Sequence, residues 1–413
     1  MTETVTIASL GGRGDGIAQD GTAIAFALPG ERVAIHRTGN RGDLVAVETP
    51  SPDRIAPFCP HFTRCGGCST QHLAPGPYAA WKRGLVAQAL DQAGLDLAPE
   101  PLVDAHGAGR RRITLHVRHV AGQAEAGLMA ARSHDLVPIE HCPITVPALH
   151  RAPAVARALS APLGHGRKPL DVAVTATDSG LDVDLRGHGP VEAGVRAALV
   201  RLAGELGLAR LSLHGDLVME TGAVTVPSGD GRLYPAPGGF LQATEAGEAA
   251  LTGLVAAAFA RKAKRVADLF SGCGPFTLAM ARTSEVHAVE AEAAALTGLD
   301  RVFRSTHGLR RVTTEARDLF RRPLLAHDLN AYDAVVYDPP RAGAQAQVRQ
   351  IAESRVPLAV GVACDPGTFA RDAATLTAAG YRLERVTPVD QFVFSSHVEM
   401  VGVFRREAVP RRR

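Results

Sequence analysis

The sequence predicts an α/β chain in three parts. These are a small N-terminal β-barrel, a central antiparallel β-rich part with a cysteine cluster, and a C-terminal doubly wound sheet. Three observations predict this. From about residue 250 the strand patterns RVADLF, VHAVE, AVVYD, PLAVGVAC and HVEMVGVF alternate with helical stretches, the signature of a doubly wound sheet. Residues 1–50 read as short strands, VTIAS, TAIAFAL, RVAIH and LVAVE, with GGRGDG, DG and PGE as turns, which suits a small barrel. Between residues 110 and 230, ITLHV, LDVDL and LSLHG alternate apolar with polar, as half-buried antiparallel strands do. We place the boundaries at 1–57, 58–235 and 236–413; a chain of 413 residues is long enough for such a division.

Composition narrows the function class. The chain is 46% hydrophobic with a net charge of +3, which permits nucleic-acid binding without arguing for it. No apolar run approaches the roughly 18 residues of a membrane span. The opening MTETVTIASL has no basic region followed by an apolar core, so no secretory signal is expected and the cytoplasm is the expected compartment. Six cysteines in such a chain point to metal ligands or catalysis before disulfides.

In the barrel segment Arg13, Arg37 and Arg41 are available to phosphates, but ordinary solvated arginines are the favoured reading. Cys59, Cys65 and Cys68 then form C-x5-C-x2-C. Three thiols this close call for a soft metal or a cluster. Cys142, in EHCPI, is the natural fourth ligand. Zinc and a [4Fe–4S] cluster both fit, and spacing does not choose between them. His61, His72 and His141 rank below the cysteines as ligands. Residues 78–93 read as an amphipathic helix with Trp81, Leu85 and Ala89 on its apolar stripe, able to pack on the C-terminal part. Trp81 is expected in the core. Arg110, Arg111 and Arg112 form a basic cluster, read either as an RNA contact or as a solvated strand start. The closing PRRR reads as a frayed basic end.

The C-terminal part carries the chemistry. In ADLFSGCGPF, Asp268 ends a strand, Gly272 and Gly274 make the turn, and Pro275 suits a first helical position. Glycine here lets a ligand lie against the backbone. Glu290 ends the next strand, where a carboxylate can hold ribose hydroxyls. Asp338-Pro339-Pro340-Arg341 follows AVVY, and its two prolines stiffen the chain around the Asp carboxylate. Cys364 leaves a buried strand on the ligand side of the sheet, ahead of a DPG turn, and is a candidate nucleophile. Cys273 reads as filler in the glycine loop. Glu399, beside His397, is either a solvent-facing strand residue or a general base, and position alone leaves both open.

These motifs also carry a resemblance. The D-x-x-x-G-x-G turn is similar to the S-adenosylmethionine cradle of class I methyltransferases. CGGC…QH, Gly239-Phe240-Leu241-Gln242, DLFSGCG, DPPRAG, ACDPGTFARD and HVE, in this order, resemble the RNA uracil-5 methyltransferases of the TrmA/RumA type. The leading barrel and cysteines resemble the RumA-like 23S rRNA branch, in which the barrel is a TRAM domain. The resemblance implies a Rossmann-like methyltransferase domain, a TRAM/OB-like RNA-binding barrel, and a [4Fe–4S] cluster on Cys59, Cys65, Cys68 and Cys142. It implies a cofactor site for S-adenosylmethionine made by Gln242, Asp268, Ser271, Gly272, Gly274, Glu290, Asp318 and Asp338. Asp338 would also lie beside the target base, with Cys364 as nucleophile and Glu399 as base. The implied partner is RNA, 23S rRNA before tRNA, with no membrane association and a monomeric state. A catalytically weakened iron–sulfur RNA-binding protein is the alternative, motivated by Asp365 where the family usually has Asn. The extra charge is expected to raise the Cys364 pKa. Arg341, where amino-group methyltransferases carry an aromatic, argues against an exocyclic nitrogen as acceptor.

Overall fold

A computed structural model describes residues 2–164, 169–259 and 263–406. The basic tail Pro410–Arg413 lies outside the described residues. The N-terminal segment forms β1 (Thr2–Leu10), β2 (Gly16–Ala18), β3 (Ala23–Ile24), β4 (Arg32–Thr38) and β5 (Arg41–Thr49). They close into a barrel in the order β1-β2-β3-β5-β4, around Ile7, Ile24, Val33 and Ile35. One expected strand is largely absent. Only Ala23–Ile24 of TAIAFAL joins the ladder, because the chain turns at Phe26 with φ 64°. The Phe26 ring leaves the barrel to meet Phe62, ring centroids 5.1 Å apart. Arg37 pairs with Glu3 and Asp20, and Arg41 with Asp15, so these two are tied within the protein.

Helix α1 (Pro75–Gln92) follows the cysteine segment, and the two-residue β6 (Val103–Asp104) follows α1. The apolar stripe expected at Trp81, Leu85 and Ala89 is displaced by one position. The buried face is Tyr78, Lys82, Val86 and Leu90. Val86 and Leu90 enter the core of the C-terminal sheet. A lysine occupies the stripe because an aspartate from that sheet meets it. Trp81 sits half-buried at the helix edge and its Nε1 donates to the Gly11 carbonyl at 3.1 Å.

The central sheet contains β7 (Arg112–Val120), β8 (Gln123–Met129), β9 (Leu136–Pro138), β10 (Leu170–Thr177), β11 (Gly180–Arg186), β12 (Leu208–Leu213) and β13 (Asp216–Glu220). Its order is β13-β12-β11-β10-β7-β8-β9. Helices α2 (Ala152–Ser160) and α3 (Ala193–Glu205) cover one face through Val155, Leu159 and Leu199. The sheet is antiparallel except for β11 and β12, which run parallel and are joined through α3, as a parallel pair requires. The half-buried expectation fails for these two strands, since all of β12 and Leu181–Leu185 of β11 are buried. The polar face is matched internally. Arg210 donates to both carboxylate oxygens of Asp182 at 2.8 and 2.7 Å, and Ser212 donates to Asp184 at 2.7 Å.

A hairpin of β14 (Val226–Ser228) and β15 (Gly231–Leu233) leads into α4 (Glu245–Ala258). The C-terminal elements are β16 (Arg265–Leu269), α5 (Pro275–Met280), β17 (Glu285–Glu290), α6 (Ala293–Ser305), β18 (Val312–Ala316), α7 (Ala326–Leu329), β19 (Ala334–Tyr337), α8 (Gln345–Glu353), β20 (Leu358–Ala363), α9 (Pro366–Ala378), β21 (Tyr381–Asp390) and β22 (Glu399–Arg406). The sheet order is β18-β17-β16-β19-β20-β22-β21-β6. Strands β18 to β20 are parallel, and β22 is antiparallel to both its neighbours. The order reverses between β16 and β19, so a crevice opens there at the carboxyl ends of the strands. Strands β6, β18 and β21 were not in the pattern read from the sequence. Among the described residues no helix is long and apolar enough to cross a membrane.

Candidate active site

The crevice is a cavity of about 780 Å³. Its wall includes Gln242, Ser271, Gly272, Glu290, Asp318, Asp338, Cys364 and Glu399. Residues drawn from seven separate stretches of sequence therefore share one space. Asp268 and Gly274 are absent from that wall. They lie behind it and shape it.

The glycine turn shows how. Phe270 (φ 62°), Gly272 (φ 55°) and Gly274 (φ 90°) all take left-handed backbone. A Cβ on Gly274 would stand 1.9 Å from Leu299 Cδ1, so the turn can lie against α6 only as glycine. Pro275 opens α5 immediately after it. Asp268, fully buried within β16, accepts from the Thr277 hydroxyl. Burial pushes its carboxyl up to about 7. Its Oδ1 and the Ser271 hydroxyl are buried without a partner, as polar atoms awaiting a ligand would be. Glu290 Oε2 accepts from the Gly272 N–H at 3.0 Å, and Oε1 accepts from Ala291 and Glu292 at 2.6 and 2.9 Å. That carboxylate is thus locked at the cavity edge. Asp318 is held by the Phe320 N–H at 3.0 Å. These groups fit a cofactor with a polar sugar lying across the glycine turn.

The opposite wall holds the candidate reacting groups. Cys364 leaves β20, and Asp365 caps α9 by accepting from the Thr368 N–H at 2.9 Å. Burial first, then the charges of Glu399 and Asp338, push the Cys364 thiol up to about 11. Asp365 adds weakly in the same direction, as the sequence led us to expect, while Arg341 opposes it. Glu399 opens β22 and is only 4% exposed. It therefore faces inward, and burial pushes its carboxyl up to about 7. Asp338 titrates well above the ordinary carboxylate range through burial and the nearby Glu399 and Asp268. His397 is not the partner of Glu399. Its ring nitrogens lie 2.5 and 2.8 Å from Arg341 Nη2, and burial beside that guanidinium brings its pKa down to about 4.

Two residues missed in the sequence organise this wall. Gln391, fully buried, donates from Nε2 to Gln242 Oε1 at 2.6 Å and to Glu399 Oε1 at 3.2 Å. Lys82, fully buried in α1, donates to Asp390 at 2.9 Å, to the Phe392 carbonyl at 3.3 Å and to the His397 carbonyl. The only signal in the sequence was a pair of polar residues, Asp390-Gln391, directly after the apolar Pro388-Val389 at the end of β21.

Within the arginine cluster, Arg111 and Arg112 are tied inside the protein. Arg111 is buried against Glu248 and donates to the Gln242 carbonyl at 3.0 Å. Arg112 donates to the Leu241 carbonyl at 2.9 Å and lies 5.2 Å from the Phe240 ring centroid. Arg110 lies 5.5 Å from that of Phe392. These contacts fasten the central sheet to the cavity rim.

A second cavity of about 330 Å³ is lined by Cys59, Cys65, Cys68 and Cys142 together, with His61, Arg110 and Phe392. His72 and His141 are not in its lining. Burial raises the thiols of Cys65 and Cys142, and that of Cys68 to about 12. Among the described residues no three His, Cys, Asp or Glu side chains are gathered tightly enough to hold a single ion. Four soft donors converging on one cavity nevertheless fit a soft metal group in chemistry.

Comparison with known proteins agrees with this arrangement. The model of the tRNA (uracil-5-)-methyltransferase family matches residues 210–407. An uncharacterized RNA methyltransferase of Agrobacterium fabrum is 44% identical, covering 98% of this chain and 100% of its own. The 23S rRNA (uracil(1939)-C(5))-methyltransferase RlmD of Halomonas elongata is 34% identical, covering 93% of this chain and 87% of its own. The tRNA (uracil-54, C5)-methyltransferase of Pyrococcus abyssi, solved with S-adenosyl-L-homocysteine, shares the fold with a TM-score of 0.72 at 19% identity, over 97% of this chain and 100% of its own. With relatives matched nearly end to end, and with a cysteine, a buried glutamate and a glycine turn facing one crevice, the chain belongs to the family of RNA uracil-5 methyltransferases that use S-adenosylmethionine.

Proposed function

We propose that this protein forms 5-methyluridine in 23S rRNA. The observation that carries the reading is that Cys364, Asp338 and Glu399 line the same cavity as Gln242, Ser271, Gly272 and Glu290. Carbon 5 of uracil is too weak a nucleophile to be alkylated directly. The Cys364 thiolate adds to carbon 6, and the electron pair passes onto the ring as an enolate, which makes carbon 5 nucleophilic. Bound S-adenosylmethionine supplies the methyl group for carbon 5. Glu399 then accepts the carbon-5 proton, the ring double bond re-forms, and the thiolate leaves carbon 6. Asp338, whose carboxyl burial and the nearby Glu399 and Asp268 raise well above the ordinary range, lies beside the uracil edge. Gln242, Ser271, Gly272, Glu290 and Asp318 hold the cofactor against the glycine turn, with Asp268 and Gly274 supporting them. The target base must be unstacked to reach this depth, and the barrel and central sheet are the parts we assign to gripping RNA.

We further propose that the four-cysteine cavity seats a [4Fe–4S] cluster. Its support is the donor set and the shared cavity. When bound, the cluster would hold its cysteine ligands as thiolates, against the burial that raises Cys65, Cys68 and Cys142. The Halomonas relative supports 23S rRNA as the substrate.

The test is transfer of labelled methyl from S-adenosylmethionine to size-fractionated RNA from cells lacking the protein, followed by nucleoside analysis. Label in 5-methyluridine of the large ribosomal RNA is expected, and Cys364→Ala should abolish it. Label in transfer RNA would reassign the substrate. Label in any other nucleoside, or full activity of Cys364→Ala, would overturn the mechanism.

A further inference from the structure

Gln391 stands at the junction of the two halves of the cavity, and its amide has only one possible orientation. Oε1 accepts from the Ala243 N–H at 2.7 Å and from the Thr244 N–H at 3.4 Å. Backbone N–H groups cannot accept, so Oε1 must face them and Nε2 must face Gln242 and Glu399 from behind the cavity wall. Both Nε2 hydrogens are then committed, one to Gln242 Oε1 at 2.6 Å and one to Glu399 Oε1 at 3.2 Å. The polarity propagates. With Gln242 Oε1 occupied as acceptor, its own Nε2 is left to donate to Asp338 Oδ2 at 3.3 Å. The packing around Gln391 is equally specific. A Cβ on Gly247, in the first turn of α4, would come within 2.7 Å of both Gln391 Cβ and Oε1.

We propose that Gln391 is a positioning residue for the proton-removal step: its amide points the Glu399 carboxylate at the cavity and orients the Gln242 amide towards Asp338. This rests on the assignment of Glu399 as the base. A donor to the carboxylate favours its ionised form, and here it works against the burial that holds Glu399 neutral. The other charged or titratable groups that face Glu399 are Asp338, Cys364, Arg341 and Lys82. None of the four shares the backbone anchor that fixes the Gln391 amide.

The step assigned to Gln391 comes after carbon–carbon bond formation, which makes it separable. Addition of Cys364 to carbon 6 does not need the base, whereas release of the methylated product does. Gln391→Glu keeps an oxygen for the Ala243 N–H and puts a second carboxyl against Glu399. Gly247→Ala presses on Gln391, and on the Thr244 hydroxyl, without substituting any residue of the cavity wall. Both are to be compared with wild type in three measurements: covalent trapping by 5-fluorouridine RNA, turnover on uridine RNA, and the fraction of enzyme caught as a methylated RNA adduct on denaturing gels. Trapping should stay within about twofold of wild type. Turnover near pH 7 should fall about fivefold, because a rise of about one unit in the titration of a base near 7 takes its ionised fraction from about one half to about one eleventh. The methylated adduct should accumulate, and the ionisation limb of turnover should move to higher pH.

Unchanged turnover and pH profile in both variants would overturn the proposal. So would parallel loss of trapping and turnover in variants that melt like wild type, because that is the pattern of a structural residue. If wild type itself is not trapped by 5-fluorouridine RNA, the uracil-5 mechanism fails instead, and the two failures are thereby distinguished.

Discussion

Replacing Lys82 with methionine tests whether α1 is part of the active-site wall. Lys82 has no exposed surface and pairs at 2.9 Å with Asp390, itself 3% exposed in its side chain. Removing one partner of a buried pair strands the other charge, at a cost of about 3–5 kcal/mol. The Phe392 and His397 carbonyls lose the same donor. Tyr78 still donates to Asp390, which keeps the expected loss within that range. The chain has a single tryptophan, and it is Trp81, next to Lys82. Urea unfolding followed by its fluorescence therefore reports this junction. Lys82→Met should lower local stability by about 3–5 kcal/mol. Adding Asp390→Asn should recover more than about 1 kcal/mol of the loss, because the two sites are coupled. Lys82 also favours the ionised form of Glu399, so the variant's activity should need a higher pH. A stability change under about 1 kcal/mol, with an unmoved pH profile, would refute the buried-pair argument.

Three other perturbations have defined outcomes. The Glu399 carboxyl is raised to about 7 and must be ionised to accept a proton, so turnover should climb as pH rises through 7. In Glu399→Gln that limb should vanish while 5-fluorouridine trapping survives. Gly274→Ala places a methyl against Leu299 at a φ of 90°; it should cost about 2 kcal/mol or more and weaken S-adenosylmethionine binding in calorimetry. Protein purified without oxygen should be brown, with broad absorbance near the visible edge and about four irons per chain; Cys68→Ala should lose both, and colourless zinc-loaded protein would remove the cluster.

Much of this molecule is visible in local sequence. The glycine turn before Pro275 needs backbone conformations that only particular residues take, so Gly272, Gly274 and Pro275 announce a strand–turn–helix cradle wherever they occur. Strand and helix periods in residues 250–406 are likewise local, and they point to a doubly wound sheet with Cys364 at a strand exit. The folded chain alone decides which polar residues are inside. Glu399 sits between Val398 and Met400 as a solvent-facing strand residue would, yet it is buried because β22 lies between β20 and β21. Lys82 lands on the buried stripe of α1 because Asp390, 308 residues away, neutralises it. Gln391 orients the wall through Gln242, 149 residues away. Arg111 and Arg112, basic at the level of sequence, are spent on Glu248 and on carbonyls near the cavity rim. The energy of burying a charge or an amide depends on the partner that meets it, and a partner so distant in the chain exists only once the fold has closed.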